Sequence, residues 1–421
     1  MLFKHPLKHP IKLPNYSPIT PQLLPNRSPI TPQSLPNELR KKEVFVMKLG
    51  ELCSVDTEKF NLSDNELIDY IDISSVDNIE KKIIKYETCL KKDAPSRARK
   101  LVQKNDIIVS TVRPNLNAVA LCDVDTPNIT VVSTGFCVLR CKKNVDVNFI
   151  FNFCKSKSFI DRLVENATGA SYPAVNDKII CDVDIPCYPL EKQKRISSEM
   201  NKVENLICLR KQQLQKLDEL VKARFVEMFG DPKYNKNNLV KIGDIGLLTS
   251  GGTPSRAIQE YFEGDIRWYS AGELNSLYLQ DSVEHISETA LQESSAKLFS
   301  KGTLMIGMYD TAAFKMGILT EDASSNQACA NLKPIPDYNV VWLYYLFDIM
   351  KPIFLKERQG VRQKNLSLSK IKEFEIPRAT INKQNEFADL VFEVNKSKLY
   401  VQKSLEKLEM LKKALMQKYF G

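Results

Sequence analysis

Histidine is almost missing from this chain. Three occur in 421 residues, and only His285 lies outside the first ten positions. A His-centred proton relay would rest on that one imidazole, so acid–base and nucleophilic catalysis have no constellation to work with. Neither common phosphate cradle is encoded: there is no Gly-x-x-x-x-Gly-Lys-Ser/Thr loop and no Gly-x-Gly-x-x-Gly after a strand. The Asn- or Asp-Pro-Pro-Tyr segment that adenine methyltransferases use is absent too. No catalytic residue is assigned. Cysteine is scarce in the second half: nine of the ten fall at or before Cys208, only Cys329 follows, and no CxxC pair occurs. A disulfide or zinc site confined to one half could not belong to an architecture that both halves share, so reduced thiols and no metal are expected. Long apolar runs are lacking. Val340–Phe347 is far short of the roughly 20 residues of a membrane-spanning helix. With no apolar stretch near the start there is no secretory signal to read, and a cytoplasmic protein without a membrane partner is expected.

What is present begins with positive charge, a formal net +9. Five of those nine charges belong to residues 1–46, where seven Lys/Arg face Glu38 and Glu43. The body carries only a mild basic bias, permissive for a nucleic-acid partner and no more. Residues 1–46 also hold nine of the 21 prolines, and Leu13–Gln22 recurs as Leu24–Gln33. This composition cannot bury a core, so a disordered proline-rich leader is expected.

Past the leader the chain is written twice. A shift of 191 residues places Leu190-Glu191-Lys192-Gln193 on Ile381-Asn382-Lys383-Gln384, Ile185-Pro186 on Ile376-Pro377, Gly169 on Gly360 and Phe229-Gly230 on Phe420-Gly421. With shifts of 193 and 197, Lys48–Leu52 falls on Lys241–Ile245 and Lys100-Leu101 on Lys297-Leu298. Ordered matches of this kind mark an internal repeat. The expected organisation is a leader over 1–46, a head over 47–189, a helix and linker over 190–236, a second head over 237–379 and a last helix over 380–421. Asp106–Val112, Ile129–Val132 and Thr303–Gly307 read as strands, and Phe149–Val164 and Val341–Lys356 as helices behind them.

Each repeat closes on a long helix with apolar residues three and four apart. The first seam runs Ile196, Met200, Val203, Ile207, Leu214, Leu217, Val221 and Met228; the second runs Phe387, Val391, Val394, Val401, Leu405, Leu408, Leu415 and Tyr419. Heptad spacing predicts a coiled coil, the alternative being an amphipathic helix lying on its own head. Charges interrupt the two seams at different places: Arg210 answers Val401 and Arg224 answers Leu415, while Lys398 answers Ile207 and Lys412 answers Val221. Unmatched faults favour pairing between the two helices of one chain. The fold class expected is α+β, two repeated heads of short strands and helices joined by two long helices in an intramolecular antiparallel coiled coil.

Several segments resemble a known family. Thr249-Ser250-Gly251-Gly252-Thr253-Pro254-Ser255-Arg256, Tyr261-Phe262 and Gly264-Asp265-Ile266-Arg267-Trp268 look like the opening of a target recognition domain in type I restriction-modification specificity subunits. Tyr70–Val76, Gly169–Val175 and Gly360–Ser367 resemble further family segments. The resemblance covers 47–421. It implies that each head reads half of a split, asymmetric DNA sequence, and that the helices set the spacing and dock two methyltransferase subunits, with motor-nuclease subunits joining outside. It implies no cofactor in this chain, with S-adenosylmethionine, ATP and magnesium held by the partner subunits. Two alternatives stay open: a methylation-only or type IIB-like system, and a coiled-coil protein scaffold with no DNA role. The DNA-contact candidates are polar loop residues after strands: Ser110, Thr111, Arg113, Asn115, Asn117, Ser171 and Tyr172 in the first head, and Tyr309, Lys315, Asn326, Gln327, Arg362, Gln363 and Lys364 in the second. Gly251-Gly252 read as a turn, with phosphate contact through free N–H groups as the other reading.

Overall fold

A computed structural model describes residues 45–55, 64–235, 237–358 and 365–421. The leader repeats lie outside these residues. The first head holds two four-stranded sheets. In one, the fully buried strand Ile107–Ser110 runs between Val119–Leu121 and Phe136–Cys141, with Cys53–Val55 beyond. In the other, Leu67–Ile71 pairs parallel with Ile129–Ser133, and Glu87–Leu90 and Ala98–Leu101 form the edges. The second head repeats the plan. Leu304–Gly307 sits between Met316–Leu319 and Cys329–Pro334, with Gly246–Ser250 outside, and Ile266–Tyr269 pairs parallel with Ser324-Ser325. Runs of Ile, Val and Leu without polar alternation suit strands buried on both faces.

The recurring Ile-Pro landmark is the strand that closes each head. Phe45–Lys48 pairs antiparallel with Asp184–Cys187, and Leu239–Lys241 with Glu375–Pro377. These are two-stranded ribbons, where proline's missing N–H is tolerated. The first ribbon takes in Phe45 and Val46, just ahead of the expected head over 47–189. The helix expected over 149–164 is two helices, Val147–Cys154 and Lys157–Glu165. Ser156 breaks the run by capping the second helix through the Phe159 N–H. Its counterpart in the second head is one helix, Val340–Phe354, followed by a tighter turn over Leu355–Glu357.

The long helices are Leu190–Phe229 and Ile381–Phe420, 40 residues each and so about 60 Å long. They run antiparallel, as cross-helix pairs show: Tyr419 donates to Glu199 at 2.9 Å, Lys412 meets Glu204 at 2.9 Å, and Lys398 meets Asp218 at 2.6 Å. The charges that interrupt the terminal seam thus find acids on the central helix. Every expected seam residue is buried or half-buried. Only the middle is a two-helix seam, with Val203, Ile207 and Leu214 against Leu405, Leu408 and Leu415. Both sequence expectations hold in part, because the ends of the helices enter the heads. Ile196 and Met200 belong to the core of the first head together with Tyr419 and Phe420 from the far helix. Val221 and Phe225 join the core of the second head, where Phe225 and Phe229 lie 6.2 and 5.8 Å from the Trp342 ring. Each helix leaves one head and plugs the other with its Phe-Gly end. Among the described residues no helix is long and apolar enough to cross a membrane.

The recurring Lys-Gln landmark also gains a physical reason. Gln193 is buried at the helix start; its carbonyl accepts from the Asp146 N–H at 3.0 Å and its amide donates to Tyr188 O at 2.7 Å. Gln384 repeats this with the Asn339 N–H at 2.8 Å and Ala379 O at 2.8 Å. Each glutamine clamps the long helix to the N-cap of the helix behind the head's sheet. Gln193→Leu should therefore cost about 1–3 kcal/mol by leaving a buried donor and acceptor unpaired, checked by chemical denaturation of the full chain.

Candidate nucleic-acid interface

The loop after the central strand of each head is built the same way. In the first head the chain leaves Ile107–Ser110, enters the left-handed region at Arg113 (φ 50°), makes one tight turn over Pro114–Leu116 and leaves it at Asn117 (φ 47°). In the second it leaves Leu304–Gly307 and takes the same conformation at Asp310 (φ 46°) and Phe314 (φ 53°). These four are among only seven non-glycine residues of positive φ among the described residues. Arginine and phenylalanine rarely adopt that conformation, and strain kept at one place in both heads points to a shared task. Matching hydrogen bonds hold the loops. Ser110 N–H donates to Ala118 O at 2.8 Å and Gly307 N–H to Lys315 O at 2.8 Å; Leu116 N–H donates to Arg113 O and Ala313 N–H to Asp310 O.

The late segment of each repeat is brought against this loop. Val175 N–H donates to Thr111 O, and Leu366 N–H to Met308 O, both at 2.8 Å. Arg113 N–H donates to Pro173 O at 2.7 Å, and Asp310 N–H to the Asn365 side chain at 3.1 Å. Gly169 (φ 98°) turns the late segment; a Cβ there would lie 2.8 Å from Tyr172 O. The Arg113 guanidinium lies over the Tyr172 ring, 4.8 Å from its centre, a cation–π stack that preorganises the arginine. Lys81 donates to Asn117 O at 2.6 Å and so braces the loop's exit. Burial, with Lys155 and Lys412 nearby, pushes the Lys81 ammonium down to about 8.

The candidates divide accordingly. Arg113, Asn115, Ser171 and Tyr172 are exposed together. Ser110, Thr111 and Asn117 are buried; Ser110 Oγ donates to Val112 O and Thr111 Oγ1 to Gly135 O. Both hydroxyls are thus bound to backbone carbonyls of the first head. In the second head Tyr309 and Gln327 are exposed, while Lys315 and Asn326 are half-buried. Lys315 donates to Gly272 O, Gln327 accepts from Thr253 and Asn326 from the Ala328 N–H. Arg362, Gln363 and Lys364 lie outside the described residues. Gly251 and Gly252 keep no free N–H for phosphate: these donate to Cys329 O and Ser325 O. Their missing side chains allow close packing, since a Cβ on Gly252 would sit 1.9 Å from Ser295 O. The rest of that motif is a clasp, with Arg256 over the Phe262 and Trp268 rings and Trp268 Nε1 donating to Gly252 O at 3.0 Å. Sequence reasoning passed over Asp310, although the 197-residue shift that aligns Lys100 with Lys297 also sets it under Arg113.

Comparisons with known proteins agree with this two-headed plan. A specificity subunit of the MjaIX type I restriction enzyme from Methanocaldococcus jannaschii is 31% identical over 156 residues, which is 36% of this chain and 36% of that one. The chain thus spans well under half the length of this curated relative in the matching region. A solved chain from work on complex assembly and conformational transition of the type I restriction-modification system has a TM-score of 0.60 at 24% identity, covering 89% of this chain and 97% of that one. The S subunit of a type I system from M. genitalium has a TM-score of 0.55 at 14% identity, covering 90% and 96%. These two share the fold. The model of the type I restriction modification DNA specificity domain matches residues 41–219 and again 234–410, so the chain belongs to that family and carries its domain twice.

Proposed function

We propose that this chain is the sequence-reading subunit of a type I restriction-modification complex, with no catalytic site of its own. It reads a bipartite, asymmetric duplex site, one half with each head, and directs adenine methylation and DNA cleavage by its partners. The observation that carries this reading is the pair of loops, alike in backbone and different in side chain, on heads at opposite ends of helices about 60 Å long. That length exceeds the ~34 Å of one DNA turn, so the heads can reach successive major grooves. Two methyltransferase subunits fit the outer face of the helices. Leu209 and Leu220 stay exposed on the central helix, and their repeat counterparts Tyr400 and Leu411 on the terminal helix, giving two equivalent apolar stripes for two copies of a partner. Motor-nuclease subunits complete the assembly, and S-adenosylmethionine, ATP and magnesium belong to the partners.

The test is selection of bound duplexes from a randomised pool by the assembled complex, repeated at rising salt. The expected outcome is a split consensus and affinity that falls with salt as phosphate contacts release counterions. Binding without sequence preference, or none, would leave a protein scaffold in its place. Within that selection Arg113→Ala should relax one base pair of one half-site by about 1–3 kcal/mol, because a guanidinium forks to guanine O6 and N7. The other half-site should not change, since the heads are separate modules. A uniform loss over all sequences would assign Arg113 to phosphate.

A further inference from the structure

The two reading loops differ in one respect that their shared backbone makes sharp: Arg113 and Asp310 occupy the same position with opposite charge. Both are exposed, both begin the loop in the left-handed region, and both are anchored through their N–H to the late segment of their own head. The Asp310 carboxylate has no hydrogen-bond or ion-pair partner among the described residues. The nearby Arg358 donates instead to the Asp310 backbone carbonyl, at 3.5 Å. Facing phosphates, such a carboxylate would be repelled. It is tolerated at a DNA surface where it meets a hydrogen-bond donor, and in the major groove the donors are exocyclic amino groups.

Resting on the reading of the chain as a DNA-recognition subunit, we propose that Asp310 is a specificity-determining residue of the second head, accepting a hydrogen bond from the N4 amino group of a cytosine. Cytosine offers that donor alone on its major-groove edge. Adenine sets the N7 acceptor beside its N6 amino group, and guanine and thymine turn only acceptors toward the carboxylate. Asp310 thus selects by repulsion as well as attraction, the element that rejects wrong partners. Arg113, on the same backbone, forks to a guanine in the other half-site. One loop design therefore reads opposite chemistry at equivalent positions, which makes the two half-sites unlike.

The test uses the full-length chain in its complex and the same randomised duplex pool. Asp310→Asn keeps the side-chain size and an amino acid that tolerates positive φ, so the loop is retained. It should weaken the cytosine preference at one base pair of the second half-site about tenfold or more and admit adenine, which asparagine reads through N6 and N7. Asp310→Arg, a residue the first head already carries in this conformation, should turn that position toward guanine. The first half-site should stay as it is in both variants. An unchanged consensus, or an equal loss of affinity for every sequence, would overturn the assignment while leaving the DNA-reading role standing. A wild-type complex that selects no consensus would remove both.

Discussion

Phe420→Ala should lower the stability of the first head by about 3–5 kcal/mol. Phe420 is 2% exposed although it closes the helix that starts at the second head. Its ring lies 5.2 Å from Phe149 and 6.1 Å from Phe153, and Ser158 donates to its carbonyl. Tyr419 beside it is held by Glu199 at 2.9 Å. Removing the ring leaves a cavity between rigid sheet-backed helices, which cannot collapse to fill it. Differential scanning calorimetry should show the transition of the first head moving down by roughly 6–20 °C, at about 2–4 °C per kcal/mol for a domain of this size, while that of the second head stays. Phe420→Leu should recover most of the loss. If both heads shift equally, or neither does, the plug is not what ties the terminal helix to the first head.

A half-chain from Met47 to Asn237 should dimerise. Alone it would expose Val203, Ile207, Leu214, Leu217, Val221, Phe225 and Met228, whose native partners lie in the other half. Fully burying such a side chain is worth about 1.5–3 kcal/mol, so leaving the set in water is strongly unfavourable. A second copy supplies what is missing. Its Phe229 is the repeat counterpart of Phe420 and can enter the empty plug site of the first head. The dimer will be weaker than the native pair, for a reason visible in the charges. Glu204 and Asp218 now face Lys412 and Lys398, and the counterparts of those lysines in the first repeat are Val221 and Ile207. In the dimer both acids lose a cation and meet an apolar seam, an unfavourable trade. Asp218→Leu should therefore tighten it. Sedimentation equilibrium at micromolar concentration decides: a monomer there would show that the modules are not interchangeable. The dimer should select a palindromic split site, since both heads are then the first head.

The internal repeat alone determined the architecture. Ordered matches at nearly constant shifts require two copies of one unit, and apolar spacing of three and four over four to five heptads requires a long helix with a buried stripe. These signals are local or periodic, so they survive without coordinates: each seam residue from Ile196 to Tyr419 is at least half-buried. Tertiary structure decided what each helix end touches. Phe229-Gly230 and Phe420-Gly421 are the same signal, and nothing local says that each enters the opposite head; chain direction and helix length settle it once the helices pack antiparallel. It also decided which loop residues face outward. Ser110, Thr111 and Arg113 are all polar residues at or just past the end of a strand, yet the hydroxyls turn to Val112 O and Gly135 O while the guanidinium stacks on Tyr172 outside. Gly135 and Tyr172 lie far along the chain, and a hydrogen bond or a stack to a distant partner leaves no period in the sequence. Asp310 carried one sequence mark, the 197-residue shift that sets it under Arg113, and the shared left-handed conformation gave that match its meaning.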